Sequence, residues 1–366
     1  MTISNKINAG RFFEDFVLNE VIQHATPRTI TAGDCALYIA LYGARQPLFC
    51  SAPFAQSLGY STAPVDDLLA FHIAFGKTVP DISVNAVANL GYADVRFMQP
   101  VFVGDTLSTT SQVIGLKQNS NGKSGVVWVR STCVNQLGEP VLSWVRWVMV
   151  HKNDLDAPAP ISVIPSLPDF VAPEFFGISK LLSFETQMAK PLSMANFDAK
   201  VTGGAYYFED YQVGERIDHV AGMTINPAEH SMATRLYQNN ARLHFDDHLM
   251  QASSFGQRLV YGGVVISICR ALSYEGLENA LSIIAINGGT HANPSFAGDT
   301  IYTATEVLQT FDLNADFGAL RLRMLGIKNA NPVEIAAFKT DSKYVESVVL
   351  DLDYTVLMPK KLKGAA

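Results

Sequence analysis

The sequence predicts an α+β protein made of two tandem copies of one unit, each a curved antiparallel sheet wrapped around a buried helix. Three observations lead there. The chain repeats itself at a constant spacing, each copy carries one helix-length apolar stretch, and each ends in strands alternating at period two. Laid over 206–244 at a constant offset of 195, residues 11–49 match without a gap. Phe13 falls on Phe208, Glu14 on Glu209, Asp15 on Asp210, Glu20 on Glu215, Ile22 on Ile217, His24 on His219, Thr29 on Thr224, Ile30 on Ile225, Leu41 on Leu236, Tyr42 on Tyr237 and Leu48 on Leu243. Further along, "QPVFVGDTL" (99–107) answers "NPSFAGDTI" (293–301), with the offset drifting to 194. A run of this kind marks an internal duplication. The expected organisation is a first copy over 1–153, a linker over 154–204 and a second copy over 205–366. The linker carries Pro158, Pro160, Pro165, Pro168, Pro173 and Pro191 and shows no sustained period.

Within each copy the order of elements is the same. A helix is expected over "NPAEHSMATRLY" (226–237), where Asn226 caps and Pro227 takes the first turn. Next come "DDLLAFHIAFG" (66–76) and "GGVVISICRALSY" (262–274), apolar around most of their circumference, as a helix buried on nearly all sides should be. The period-two strands follow, among them "GVVWVRSTCV", "VLSWVRWVMV" and "VVLDLDYTVLM", with turn signals at Asn121-Gly122 and Gly138. The two "GDT" words read as turn-and-strand architecture in both copies, with Asp105 and Asp299 as turn residues.

Composition narrows the function. Hydrophobic residues make up 48% and charged ones 17%, which suits a well-buried globular chain. A net charge of −7 disfavours nucleic acid as a partner but leaves room for a local basic pocket. No apolar signal-peptide core follows Met1, and no run reaches the length of a membrane span, so a cytoplasmic protein with no membrane partner is expected. Cys35, Cys50, Cys133 and Cys269 lie far apart without metal-ligand spacing, and reduced, mostly buried thiols are expected.

The chemistry concentrates in "NNARLHFDDH" (239–248). His244 and His248 stand four apart, a spacing that could hold zinc, but Phe245 occupies the place where a metalloprotease needs glutamate and no third ligand is evident; no metal is expected. At the 195 offset Asn239 falls on Ala44 and His244 on Phe49, neither of which can carry a proton. One copy thus has polar chemistry where the other has apolar filler. A histidine needed for folding would stand in both copies, as His24 and His219 do. The helix starts differ in the same sense: Gly262 and Gly263 leave amides open at the positive end of the helix dipole, whereas Asp66 and Asp67 cap the first helix with their own charges.

The tandem pattern, the "PxFxGDT" words and the "YQNNARLHFD" segment resemble the MaoC-like double hotdog hydratases, over nearly the whole chain outside the linker. "HATPRTIT", "FHIAFGKTVPDIS", "NPSFAGDTIY" and "LDYTVLMP" carry a closer likeness to members acting on a branched dicarboxylic thioester. The resemblance implies a tandem hotdog fold and reversible hydration of an enoyl-CoA, mesaconyl-CoA (2-methylfumaryl-CoA) giving β-methylmalyl-CoA. It implies a CoA thioester as the small-molecule partner, no metal or redox cofactor, and a homo-oligomer. The hydratase signature of the family reads Asp-x-Asn-Pro-aliphatic-His. Counting back from His244, Leu243 fills the aliphatic place, Arg242 the proline, Ala241 the asparagine and Asn239 the aspartate. Only the histidine of the acid–base pair is kept, because a carboxamide cannot take a proton.

The expected catalytic residues are therefore His244 as base, Asn239 orienting water and the Gly262 amide polarising the thioester carbonyl. Asp246 is the nearest carboxylate, although two residues on from His244 it points elsewhere on a helix. Tyr237, Arg235, Arg242, Asp246 and Gly263 are the expected substrate-binding neighbours, the arginines for the anionic parts of the substrate. Two other readings stay open, a hotdog acyl-CoA thioesterase and a non-catalytic acyl-CoA-binding protein.

Overall fold

The computed structural model describes residues 6–177 and 190–361, and the middle of the expected linker and the first five residues lie outside them. In the first copy the helices are α1 (Ala32–Tyr42), α2 (Pro47–Cys50), α3 (Ala52–Ser57) and α4 (Asp67–Ile82). Its strands are β1 (Val21–Gln23), β2 (Arg28–Thr29), β3 (Ala86–Phe97), β4 (Thr106–Gln118), β5 (Ser124–Val134) and β6 (Pro140–His151). After α5 (Ala199–Thr202), the second copy repeats them as β7 (Arg216–Asp218), β8 (Met223–Thr224), α6 (Pro227–Leu236), α7 (Arg242–Phe245), α8 (Asp247–Gln251) and α9 (Gly262–Leu272). It closes with β9 (Ile283–His291), β10 (Thr300–Asp312), β11 (Phe317–Lys328), the small hairpin β12 (Lys339–Thr340) and β13 (Lys343–Tyr344), and β14 (Val348–Pro359).

The two half-sheets are fused. Along the sheet the order is β1-β4-β5-β6-β3-β9-β14-β11-β10-β7, all antiparallel, with β2 and β8 added on β4 and β10. The seam is β3 against β9, with Tyr92 opposite Gly289, Ala93 opposite Gly288 and Val95 opposite Ile286. Since Ala93 and Gly288 are repeat equivalents, an approximate twofold axis runs through the seam. Pairing the inner edges leaves fewer open strand edges than two separate sheets would. The axis continues through the helix layer, where equivalents meet: the Tyr237 hydroxyl donates to that of Tyr42 at 2.8 Å, and His72 Nε2 shares a 3.1 Å hydrogen bond with Ser267.

Sequence spacing and local chemistry account for the helices. Asn226 caps α6 by accepting from the Ala228 amide at 2.9 Å, with Pro227 at the first position. Thr31 and Asp34 form the reciprocal capping box of α1. The apolar stretches are the central helices, and one core spans both, with Leu69, Phe71 and Ile73 of α4 joined to Val264, Ile266 and Ile268 of α9. α4 runs six residues past Gly76, through Pro80; a proline in the last turn removes a single amide and the helix ends two residues later.

Features shared by both copies are structural. Asp105 and Asp299 each accept a backbone amide three residues back, Phe102 and Phe296, at 2.8 Å. His24 bridges Asp81 and Ser111, both at 2.8 Å, and His219 bridges the Glu275 carbonyl and Thr305 at 2.8 and 2.9 Å. The linker, aperiodic in sequence, lies along the protein: Val163 pairs with Leu116, the Val171 amide donates to Asn287 at 2.9 Å, and Val171, Phe176, Leu192 and Met194 are buried. Of the four free thiols Cys133 and Cys269 are buried, whereas Cys50 is exposed and Cys35 half-buried, fewer buried than expected.

One close approach positions the segment that follows α6. A methyl group on Gly76 would stand 1.9 Å from the Tyr237 carbonyl oxygen and 3.4 Å from the Asn239 amide. Next to it Gln238 adopts a left-handed conformation (φ 51°), at the position where the first copy has Gly43 (φ 59°). Such a conformation is costly for a residue with a Cβ, and Lys77 of α4 holds the Gln238 side chain by donating to it. Gly76→Ala should therefore lower stability by about 1–3 kcal/mol in urea denaturation. The displaced segment is the one that carries Asn239.

Candidate active site

The segment held by Gly76 opens onto a cavity of about 280 Å³, the lower end of the range for small-molecule sites. Its wall draws on both copies: α4 and β3 of the first, the 239–244 segment, the start of α9 and the end of β9 of the second. Asn239, His244, Gly262 and Gly263, four of the residues singled out from sequence, line it together.

His244 sits on the single turn α7, and its Nδ1 lies 3.0 Å from the Leu259 carbonyl oxygen. A carbonyl can only accept, so the proton is on Nδ1 and Nε2 carries a lone pair. Burial pushes this imidazole down to about 4, keeping it neutral at physiological pH. Its ring packs 5.4 Å from that of Tyr261, the residue preceding α9. Asn239 is 2% exposed; its Oδ1 accepts the Ala241 amide at 3.2 Å and its side chain also reaches the Tyr261 hydroxyl. Burial raises that phenol, which therefore stays protonated.

At the start of α9 the Gly262 and Gly263 amides have no carbonyl four residues back to bond. Both glycines are required by their neighbours. A Cβ on Gly262 would stand 2.1 Å from Cε1 of His291, and one on Gly263 would stand 2.4 Å from the Tyr261 ring and 2.7 Å from His72. The glycine pair thus does two things: it bares the helix end and it lets two imidazoles close on it. Behind them, the Tyr261 amide donates to His230 Nε2 at 3.0 Å, which fixes the backbone turn into α9.

Other expected neighbours are placed differently. Tyr237 is fully buried behind the wall, its ring 4.9 Å from His72 and 6.0 Å from Tyr261, so it supports the site rather than lining it. Arg235, Arg242 and Asp246 are exposed and outside the lining. The cause is local: the chain breaks between α7 and α8, and Asp246 caps α8 by accepting from the Leu249 amide at 3.0 Å. His248 is exposed on α8, and no group of three His, Cys, Asp or Glu side chains among the described residues is arranged to hold a metal ion.

Sequence reasoning missed four lining residues, His72, Tyr92, Arg146 and His291. His291 shares a 2.6 Å hydrogen bond with the Tyr92 hydroxyl and is held neutral by burial, at about 4. Arg146 of β6 is 1% exposed, with its guanidinium carbon 4.4 Å from the centre of the Phe75 ring. Burial pushes it down to about 9, so it is still a cation at neutral pH. Repeat asymmetry would have found His291, because Arg96 stands at its place in the first copy. Arg146 was visible as a lone cation in phase with Trp144, Val148 and Val150 on the inward face of its strand.

The equivalent place in the first copy is closed. Cys35, Tyr38, Ala44, Phe49, Asp66 and Leu69 surround about 10 Å³, room for one water at most. Asp66 caps α4 by accepting from the Leu68 amide at 2.9 Å, and Asp67 accepts from the Ile283 amide at 2.7 Å, so both carboxylates are committed to the fold.

A family model described as MaoC like domain matches residues 15–135, in the first copy. The β-methylmalyl-CoA dehydratase of Chloroflexus aurantiacus is 54% identical over 363 residues, 98% of this chain and 100% of that protein. The chain belongs to the MaoC-like family. A mesaconyl-CoA hydratase of Cereibacter sphaeroides is 52% identical over 97% of this chain and 100% of its own. Among solved structures, a MaoC domain protein dehydratase from Chloroflexus aurantiacus superposes with a TM-score of 0.90 at 54% identity, covering 98% of this chain and 100% of that one. A Mycobacterium tuberculosis protein with a double hotdog fold superposes at 0.70 with 24% identity over 95% of this chain and 98% of its own, a likeness of fold alone. The expected tandem hotdog architecture is thus the observed one.

Four imidazoles around the site are depressed by burial: His244 and His291 to about 4, His72 and His230 to about 3. Each stays neutral in the folded protein while the unfolded chain takes up a proton near 6.5. The stability they allow is complete above pH 6.5 and is lost as pH falls from there toward about 4, by up to about 1.4 kcal/mol per pH unit and ring. Urea denaturation between pH 7.5 and 5 should show a smaller acid loss for His291→Gln than for the wild type, by about one proton's worth; equal slopes would mean that the ring is not held neutral.

Proposed function

We propose that this chain is a hydro-lyase that reversibly adds water to mesaconyl-CoA (2-methylfumaryl-CoA), giving β-methylmalyl-CoA. The observation that carries the reading is a neutral imidazole with a lone pair on Nε2, lining one cavity with the bare amides of a helix N-terminus. Near-full-length identity of 54% and 52% to proteins bearing those two activities supports the choice of substrate.

The chemistry follows from the parts. Conjugation with the thioester makes the β-carbon electrophilic, and attack there moves charge onto the thioester oxygen. Helix N-terminal amides stabilise an oxyanion in a low-dielectric site, which assigns Gly262, with Gly263 beside it, to that oxygen. His244 Nε2 removes a proton from water as the oxygen attacks the β-carbon, and the imidazolium returns that proton to the methyl-bearing α-carbon. One group serving both transfers favours addition to a single face. Asn239 has no proton to give at neutral pH and is assigned to hold the water. The double bond, the water and the proton balance without a metal or redox cofactor. A cytoplasmic location and a homo-oligomer go with this reading as further expectations.

A thioesterase would release free CoA, whereas this reaction changes the absorbance of the conjugated thioester and adds the mass of one water with no free thiol. His244→Ala should lower kcat by about 10²–10⁴ while CoA-ester affinity stays within severalfold; unchanged turnover removes the assignment. Asn239→Ala should also lose turnover. Because burial keeps His244 at about 4, the acid limb of kcat/KM should lie below pH 5, not near 6.5.

A further inference from the structure

We propose that Arg146 is the subsite for the free carboxylate of the acyl group and so sets the preference for a dicarboxylic thioester. The inference rests on the hydratase reading and deepens it.

Arg146 has the position and the unmet bonding capacity that such a subsite needs. It lines the cavity from β6, in the first copy, among Phe75, Val79 and Ser83. The wall from it to the base is continuous: its guanidinium lies over Phe75, the Phe75 ring is 6.3 Å from that of Tyr261, and Tyr261 is 5.4 Å from His244. Its protein partners are weak. One terminal nitrogen reaches the Thr78 carbonyl and the Ser83 hydroxyl, each at 3.5 Å, the outer limit of a hydrogen bond. Its Nε is buried with no hydrogen-bond partner, and no carboxylate among the described residues forms an ion pair with it. A buried cation without an anion is costly, and proteins keep one where a ligand supplies the counter-charge.

The duplication supplies a control. A second buried arginine, Arg270, stands at the repeat position of Phe75 and is likewise without side-chain hydrogen bonds at both terminal nitrogens. It faces carboxyl groups inside the protein: burial raises Asp66 and Asp67, and the charge of Arg270 pulls both part of the way back down. The closed place thus has carboxyl groups of the chain beside its arginine, and no carboxylate lines the open cavity. A carboxylate on the β-carbon of the substrate would complete the open site, and the planar guanidinium fork suits it.

The test compares two thioesters differing only at that group, 2-methylfumaryl-CoA and 2-methylcrotonyl-CoA, in which a methyl replaces the carboxylate. Wild-type protein should prefer the first. Arg146→Met should lose about 100-fold or more in kcat/KM on the first, with activity on the second kept or raised, and Arg146→Lys should recover part of the preference. Equal loss on both esters by Arg146→Met with an intact thermal transition would overturn the proposal, as would full activity on the diacid ester. Should Arg146→Met not fold, affinities of the wild type for the saturated pair, 2-methylsuccinyl-CoA and 2-methylbutyryl-CoA, decide: tighter binding of the diacid, reduced in Arg146→Lys, supports the subsite, and equal binding removes it. Wild type that hydrates neither ester fails the hydratase reading itself, whereas wild type that hydrates both equally keeps that reading and sinks the carboxylate subsite.

Discussion

The site depends on the contact between α4 of the first copy and the segment that leaves α6 of the second. Gly76 admits the Tyr237 carbonyl into a space that any side chain would fill, and Lys77 holds the strained Gln238 in its left-handed turn. Asn239 is the next residue and His244 follows within one short turn, so this approach positions both. The same helix contributes Phe71, His72 and Phe75 to the cavity wall. The first copy therefore supplies a large part of the cavity wall, and cutting the chain between the copies would leave the second one open to water.

The duplication explains why one end of the molecule holds an open polar cavity and the other does not. Where α9 begins with two glycines, α4 begins after and with aspartates that bond backbone amides. Where one site has Asn239 and His244, the other has Ala44 and Phe49, and the space between them has closed. By excluding water, burial keeps the imidazoles around the cavity neutral.

Much of this was legible in the sequence. The duplication, the two central helices, the turn aspartates Asp105 and Asp299, the structural pair His24 and His219, and the clustering of Asn239, His244, Gly262 and Gly263 all follow from comparing one copy with the other. Periodicity could not reveal residues that meet across the axis. Tyr92 and His291 come from separate strands, and their 2.6 Å contact exists only because β3 and β9 pair at the seam. Arg146 was missed for a different reason: a lone cation in phase with Trp144 on an apolar strand is a readable signal, but it reads as a break in pattern unless the inward face is traced. Charged residues near the motif, Arg235, Arg242 and Asp246, drew notice by proximity in sequence, yet all three are exposed outside the cavity. The linker had no period to read because it packs by individual side chains, Val171, Phe176 and Met194 among them.

Two similar halves are proposed to build a single site per chain. Isothermal titration of the full-length protein with 2-methylsuccinyl-CoA, which lacks the reactive double bond, tests it most directly. One equivalent bound per chain is the predicted result; two equivalents would show that the first copy also holds a thioester and would contradict the account.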